Sequence, residues 1–554
     1  MSGSDAASKG VLAEVKGLLP KLLTEFIGTF YLTFCVGMSA KSNAAAPLCI
    51  GGVLVAMVYA GGHVSGAHYN PTVTAAVFTR ARFRSTALGL TWLAASLYVV
   101  AQLVGAFVGG AFALALVGED GLGYPAYPEG MHGPAIGVEM LWSFLLATVV
   151  LNVATSNAQD NNNYYGLAIG FTVFSGAVVV GGLSGGAFNA AVGLALPLLA
   201  GSPVQVWVYL VFPTIAGVLA GLFFRFSSPD DFGVVRKGVL LGELPAYAME
   251  FVTTFFLSTY VALSPLFGAS KLAEVAMFAL TVALLSMAGA TSGCHMNPAV
   301  SVGVYLRSVK SPIAGGFPAR KLAAYVLSQL LGGATAALVA AGLLRELRVG
   351  GTVVTDSVIG FPFPVASTGK AFLAEVIGTT ALVYVVLNVA TVRHLARNSF
   401  FGIAIGITIA AVGGAIGPVS GGCLNPAVGL LGAFGSTWQP AGIDMSPIWI
   451  YFVAPPLGGV LAALLFRFQN HAAEYSAKAY EPVDGIGRHY QAMTEGNEEA
   501  QRFMLHDSAR TVTAVKTSLN TAVFIAKLKA KKEGHASSTA TQAKVHPSTS
   551  ASTD

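Results

Sequence analysis

Four segments of the chain set an Asn at the head of an apolar, helix-like run: Asn70-Pro71-Thr72, Asn189-Ala190-Ala191, Asn297-Pro298-Ala299 and Asn425-Pro426-Ala427. Asn is a favoured helix N-cap and Pro a favoured first helical residue, so each tripeptide reads as a helix start. All four starts fall inside sequence apolar enough for a lipid bilayer. A helix that begins at mid-membrane leaves free N–H groups and a positive dipole end there. These are tolerated only where they face a protein-lined, water-accessible cavity. Four such half-helices, taken in pairs, predict two cavities.

The surroundings fit that reading. The 554 residues are 54% hydrophobic and only 10% charged, with a mean hydropathy of +0.67, which marks a polytopic membrane protein. Runs of membrane-spanning length lie at 22–40, 47–63, 88–117, 134–155, 164–183, 205–225, 244–265, 272–290, 319–345, 368–392, 400–419 and 447–467, twelve in all. With both termini cytoplasmic, only Lys41, Lys271, Arg345, Arg348 and Lys370 of the 31 Lys and Arg fall outside, as the positive-inside rule asks. The opening stretch 1–20 is polar and mixed and shows no cleavable signal. The net charge of +5 lies in cytoplasmic loops and tail, where topology accounts for it, so no nucleic-acid partner is expected. Arg80, Arg82 and Arg84 read as a solvated cytoplasmic patch. Cys35, Cys49, Cys294 and Cys423 make no metal spacing, and neither a disulfide framework nor a metal or other cofactor is expected.

The halves repeat. Glu25, Asn70 and Gln102 reappear in the same order, at a nearly constant offset, as Glu250, Asn297 and Gln329. Glu139 and Asn189 reappear as Glu375 and Asn425 at a second, slightly longer offset that is the same for both, which puts an insertion in the loop before the fourth span of the second half. Within each half there is a second echo, since TEFIGTF at 24–30 resembles VEMLWSF at 138–144. Three spans plus a half-helix, repeated after an odd number of crossings, must lie inverted in the membrane. The expected organisation is a cytoplasmic segment 1–20, a first unit 21–225, a cytoplasmic linker 226–243, a second unit 244–468, and a largely disordered cytoplasmic tail 469–554. Within the tail, 508–532 carries Val512, Val515, Leu519, Val523 and Ala526 near helical spacing before a basic run; a membrane-surface helix and a solvated basic tail both fit.

With GGHVSGAHYNPTVT at 61–74, TSGCHMNPAVSVG at 291–303, LSGGAFNAAVGL at 183–194 and VSGGCLNPAVGL at 419–430 in view, the chain resembles a tandem aquaporin of the major intrinsic protein family. The resemblance covers roughly 15–225 and 240–468. It implies an all-α polytopic membrane protein of two fused units, each with six transmembrane helices and two re-entrant half-helices. It further implies that two such chains pair into a four-pore assembly, in the plasma membrane or an internal vacuolar membrane.

Pore residues follow from half-helices meeting end to end. Asn70 with Asn189, and Asn297 with Asn425, are expected to present amides and positive dipole ends at the two pore centres, repelling cations and interrupting proton hopping. Thr72 and Ala190 depart from the family's usual Ala and Pro, so the first pore is expected to be slightly looser or wider than the second. By the family's spacing the outer filters are Ile50, Ala177, Gly186 and Val192 in the first unit, and Met277, Gly413, Gly422 and Val428 in the second. Val192 and Val428 stand where most of the family carries an Arg. Buried Glu25, Glu139, Glu250 and Glu375, with Gln102 and Gln329, are expected to hold the re-entrant loops rather than carry ions. His68 and His295 are expected in the inner pore lining, with a purely structural role as the alternative. His63 has Ala290 as its counterpart, and Cys423 is expected to be reachable by thiol reagents.

The function expected is a passive, non-enzymatic channel for water and small uncharged solutes such as glycerol, urea, ammonia or hydrogen peroxide. A twelve-span secondary transporter would also show repeats, but it needs mid-membrane coupling charges that differ between halves. Here the carboxylates repeat faithfully. A third arrangement keeps one unit conducting and the other structural.

Overall fold

The computed structural model describes residues 3–41, 43–83, 90–234, 239–267, 270–309, 311, 317–345, 348–349, 352–353, 359–392, 395–396, 398–435 and 446–475. The N-terminal helix α1 (Gly3–Ser39) takes in most of the polar opening stretch as well as the first span. The rest of the first unit is α2 (Ala46–Ser65), the half-helix α3 (Pro71–Arg82), α4 (Trp92–Gly121), α5 (His132–Thr155), α6 (Tyr165–Ser184), the half-helix α7 (Ala190–Leu199) and α8 (Val206–Ser227). The second unit repeats this order as α9 (Val239–Ala262), α10 (Ala273–Ser292), α11 (Pro298–Ser308), α12 (Ala319–Arg345), α13 (Thr368–Ala390), α14 (Phe401–Ser420), α15 (Pro426–Gly435) and α16 (Ile450–Gln469). A short antiparallel pairing, Arg348–Val349 with Thr352–Val353, is the sheet among the described residues. Residues 476–554, and with them the 508–532 segment, lie outside the described residues.

Eleven helices among the described residues are long and apolar enough to cross a membrane. Helix α9 has the length, at 24 residues, but its Glu243 and Glu250 and a run of Thr and Ser dilute its hydropathy. It crosses beside α12 and α10 as α1 does beside α4 and α2. Such polar helices span a bilayer only when their polar face is buried in protein: Glu250, Thr253, Thr254, Ser258 and Thr259 are all fully buried. Small residues allow the tight crossings. A Cβ added at Gly105 or Gly109 of α4 would stand 2.4 or 2.3 Å from the Phe26 or Phe30 carbonyl oxygen of α1, close backbone approach being the usual way helices pack in lipid.

The units join chiefly through α5 and α6 of the first against α10 of the second, with α9 set against α8 and against Trp142 of α5. Trp142 meets Phe256 at 5.9 Å, Phe171 meets Phe278 at 5.6 Å, and Tyr164 meets Phe401 at 5.6 Å. Accordingly 72% of the residues in the apolar stretch of α5 and of α6 are buried, and 67% in that of α10. Their repeats are not covered in this way: the share is 17% in α14 and 28% in α2.

The basic patch expected at Arg80, Arg82 and Arg84 is corrected. Arg80 is buried, its Nη2 donating to the Thr155 carbonyl at 2.6 Å and standing 3.6 Å from Asp231 Oδ1. The repeat residue Arg307 is buried too, with Nη2 2.7 Å from Glu474 Oε2 and 2.9 Å from the Thr391 carbonyl. Each guanidinium lies at the carbonyl end of α5 or α13, where the helix dipole favours a cation. The partner acids come from segments assigned above to linker and tail, so both segments begin folded against their units. Arg82 is exposed, over the Phe78 and Trp92 rings; Arg84 lies outside the described residues.

Candidate functional site: two conduits between paired half-helices

Each Asn caps its own half-helix and clasps the opposite one. Asn70 Oδ1 accepts from Thr72 N at 2.9 Å while its Nδ2 donates to the Phe188 carbonyl at 2.8 Å. Asn189 answers, accepting from Ala191 N at 3.0 Å and donating to the Tyr69 carbonyl at 2.9 Å. In the second unit Asn297 donates to the Leu424 carbonyl and Asn425 to the Met296 carbonyl, both at 2.8 Å. A primary amide has two N–H donors, so each clasp leaves one to face the cavity.

The backbone just before each Asn is strained. Tyr69, Phe188, Met296 and Leu424 have φ of +49°, +46°, +52° and +56°, and left-handed non-glycine residues cost about 1–3 kcal/mol each. Four buried carboxylates hold them there. Glu25 accepts from His68 N at 3.0 Å, Tyr69 N at 2.7 Å, Ser65 Oγ at 2.6 Å and Gln102 Nε2 at 2.8 Å. Glu250 accepts from His295 N, Met296 N, Ser292 Oγ and Gln329 Nε2 at 2.9, 2.8, 2.7 and 2.8 Å. Glu139 takes Ala187 N and Phe188 N at 2.9 Å each, and Glu375 takes Cys423 N and Leu424 N at 2.8 and 2.7 Å. Every one is an acceptor in a closed set of neutral donors, and hydrogen bonds to an ionised partner stabilise by about 1.5–3 kcal/mol.

Sequence reasoning missed the other half of this device. Ser65, Ser184, Ser292 and Ser420 each donate to the local Glu, at 2.6–2.7 Å. Each also accepts, at its carbonyl, the hydroxyl of a tyrosine: Tyr98, Tyr209, Tyr325 and Tyr451, at 2.9, 2.6, 2.7 and 2.5 Å. The signal was present in the chain, since Ser-Gly stands at all four positions 65–66, 184–185, 292–293 and 420–421.

His68 and His295 line the two cavities. Their Nδ1 atoms lie 3.1 Å from Thr74 Oγ1 and 3.0 Å from Ser301 Oγ, which also receive Gln102 Nε2 and Gln329 Nε2 at 2.9 Å each. His63 falls in the last turn of α2. Ile50, Ala177, Gly186 and Val192 all border the first cavity, together with Asn70 and Asn189. Met277, Gly413, Gly422 and Val428 all border the second, with Asn297, Asn425 and Cys423. At Gly422, φ is +63° and an added Cβ would lie 2.4 Å from the Gly413 carbonyl oxygen, so no side chain fits there.

The cavities differ greatly in size. The first holds about 60 Å³. The second holds about 2250 Å³, a volume that also takes in an open crevice between the units beside Asn157, Asp160 and Asp231. Two large side chains of the first unit have small counterparts in the second. Phe174 on α6, packed over Gly51, is replaced at the repeat position by Ala410, which lines the wide conduit. Trp142, fully buried on α5, is replaced by Gly378. The expectation that the first pore is looser or wider than the second, drawn from Thr72 and Ala190, finds no support in these cavities, the one beside Asn70 and Asn189 being the smaller. The Asn189 cap is complete without Pro.

Twelve crossings and inverted half-helices clasped at their N-termini define a membrane channel scaffold. The family model described as major intrinsic protein matches residues 12–224 and again 241–466. The chain belongs to the major intrinsic protein family, as a tandem of two units, and is an integral membrane channel protein of the water and small-solute class. It is similar to the glycerol uptake facilitator protein-like 6 of Lactiplantibacillus plantarum, 34% identical over 38% of this chain and 99% of that one. It is also similar to the aquaporin AqpM of Methanothermobacter marburgensis, 35% identical over 34% of this chain and 73% of that one. The X-ray structure of the aquaglyceroporin from Plasmodium falciparum aligns over 40% of this chain and 95% of that one, at 21% identity and a TM-score of 0.32. Membership rests on the two family-model matches.

Proposed function

We propose that each unit carries its own passive conduit for water and small uncharged solutes, such as glycerol, urea, ammonia or hydrogen peroxide, with both termini cytoplasmic. The observation that carries this reading is the paired clasp, present in full in both units, with four half-helix N-termini turned toward the cavities. Positive dipole ends at a pore centre repel cations, and fixed amide donors orient each passing acceptor. Ile50, Ala177, Gly186 and Val192, and Met277, Gly413, Gly422 and Val428, act as outer filters. Without Arg or His they select by width more than by charge. The carboxylates are absorbed by loop support on both sides of the repeat, which speaks against a coupling role and against a rocking transporter.

Two chains pair to close a ring of four units. Supporting this, the joint within one chain uses the α5–α6 face of the first unit and the α9–α10 face of the second. The repeat faces, α13–α14 and α1–α2, are left largely uncovered, α14 touching the first unit at Phe401, and α14 and α2 are the least buried of the described spans. A two-fold axis brings α13–α14 of one chain onto α1–α2 of the other.

The test is reconstitution into liposomes with stopped-flow light scattering under separate osmotic challenges of an impermeant solute, glycerol and urea. Downhill, barely saturable flux is expected. Accumulation of any solute against its gradient, driven by protons or sodium, would overturn the channel reading.

A further inference from the structure

The inner mouths of the two units are built from opposite chemistry on one frame. In both, a tyrosine of the third span stands below the inner histidine: Tyr98 lies 5.2 Å from His68, and Tyr325 lies 5.1 Å from His295. Around Tyr98 the first unit packs Leu18 and Ala94, with the half-buried Leu22, Leu90 and Leu97, into an apolar cluster. In the register that carries Glu25 onto Glu250, the second unit has Glu243 for Leu18 and Tyr247 for Leu22. In the register that carries Gln102 onto Gln329, it has Phe317 for Leu90 and Lys321 for Ala94.

These replacements make a polar, ring-walled vestibule. Glu243, Phe317, Arg320, Lys321 and Tyr325 all border the wide conduit. Glu243 accepts the Tyr247 hydroxyl and stands 3.7 Å from Arg320 Nη2. The Lys321 ammonium sits over the Phe317 and Tyr325 rings at 6.0 and 5.6 Å. In the first unit the small cavity reaches His68 from the outer side, and Leu18, Leu22, Leu90, Ala94 and Tyr98 are not among the residues that border it.

We propose that this inner mouth is the specificity-determining element that divides the two pores. The leucine cluster of the first unit excludes hydrogen-bonding solutes, and Glu243, Phe317 and Lys321 admit them to the second. A narrow passage lined by leucine offers a polar solute nothing in exchange for its hydration shell. The second mouth offers a carboxylate acceptor, an ammonium donor and two ring faces, which suit neutral solutes carrying several hydroxyl or amide groups. Glycerol, urea and longer polyols therefore pass through the second unit, and the first is tight to them. This inference rests on the reading of one conduit per unit.

The experiment uses full-length protein in liposomes and two single-pore backgrounds. Asn70→Leu with Asn189→Leu silences the first pore, and Asn297→Leu with Asn425→Leu silences the second. With the first pore silenced, adding Glu243→Leu, Phe317→Leu and Lys321→Ala is expected to lower glycerol permeability by about tenfold, as for a hydrophobic gate. With the second silenced, Leu18→Glu, Leu90→Phe and Ala94→Lys should raise it several-fold from near the lipid background. The reciprocal gain keeps the test informative if the leucine transplant fails to insert. Equal glycerol flux through the two backgrounds before any transplant would overturn the inference, as would a first unit unmoved by the gain variant. Loss of all flux in both backgrounds, with wild type conducting, would instead remove the reading of independent conduits and this inference with it.

Discussion

The two units share their hydrogen bonds almost atom for atom and differ in the cavities that those bonds frame. Glu25 and Glu250 each gather a Ser hydroxyl, a Gln amide and two backbone N–H groups. Yet one cavity holds about 60 Å³ and the other about 2250 Å³. The polar clasp is intolerant of change, because any member lost leaves buried donors without an acceptor. The apolar lining tolerates exchange of large and small residues across facing helices. Duplication thus left the scaffold constrained and the bore free to diverge.

The sharpest way to break this comparison is to close one centre at a time. Asn297→Leu with Asn425→Leu should remove nearly all glycerol flux, whereas Asn70→Leu with Asn189→Leu should lower water flux only in part and glycerol flux hardly at all. Stopped-flow measurements normalised to protein in the bilayer decide it, and symmetric losses would mean that the difference in bore is irrelevant to transport.

Next in size is the filling of the first unit. Phe174→Ala gives α6 the residue that α14 carries at Ala410, and it should cost about 3–5 kcal/mol of stability as a large-to-small core change. Thermal unfolding in detergent should show the loss, while Ala410→Phe should leave stability closer to wild type and reduce passage of longer polyols. If Ala410→Phe left that passage unchanged, the width of the second conduit would be set elsewhere.

The clasps should behave alike. Glu25→Gln and Glu250→Gln each turn a carboxylate oxygen into an amide that faces the N–H of Tyr69 or Met296 and the amide of Gln102 or Gln329. Each should lose about 1–3 kcal/mol, the cost of orphaned buried donors. Unequal loss in thermal unfolding would show that the scaffolds are less equivalent than their geometry.

The smallest effect is expected at the outer mouths. Val192→Arg with Val428→Arg should lower the glycerol-to-water permeability ratio about two- to threefold, since a charged side chain narrows a pore and adds donors. The change should come mainly from Val428, in the unit that passes glycerol. An unchanged ratio in a conducting double variant would mean that these positions are not the filter.

What could be read from the chain alone was whatever is local or periodic. Asn before a helical run announces a cap, apolar length announces a span, and the return of Glu25 as Glu250 and of Asn189 as Asn425 announces a duplication. The Ser-Gly pairs were equally legible and went unread, because their meaning depends on tyrosines that stand on a different helix. Three matters were decided only by the tertiary structure. Arg80 looked like a surface charge among three arginines, and the carbonyl end of α5 with Asp231 draws it inside. Helices α6 and α14 are similar in sequence, and the joint between units covers one and bares the other. Which residues face each cavity, Leu146 and Val173 in the first unit and Phe317 and Ala410 in the second, is fixed only by how the helices converge. These positions lie on separate elements, and their volumes matter only once the helices converge on one cavity.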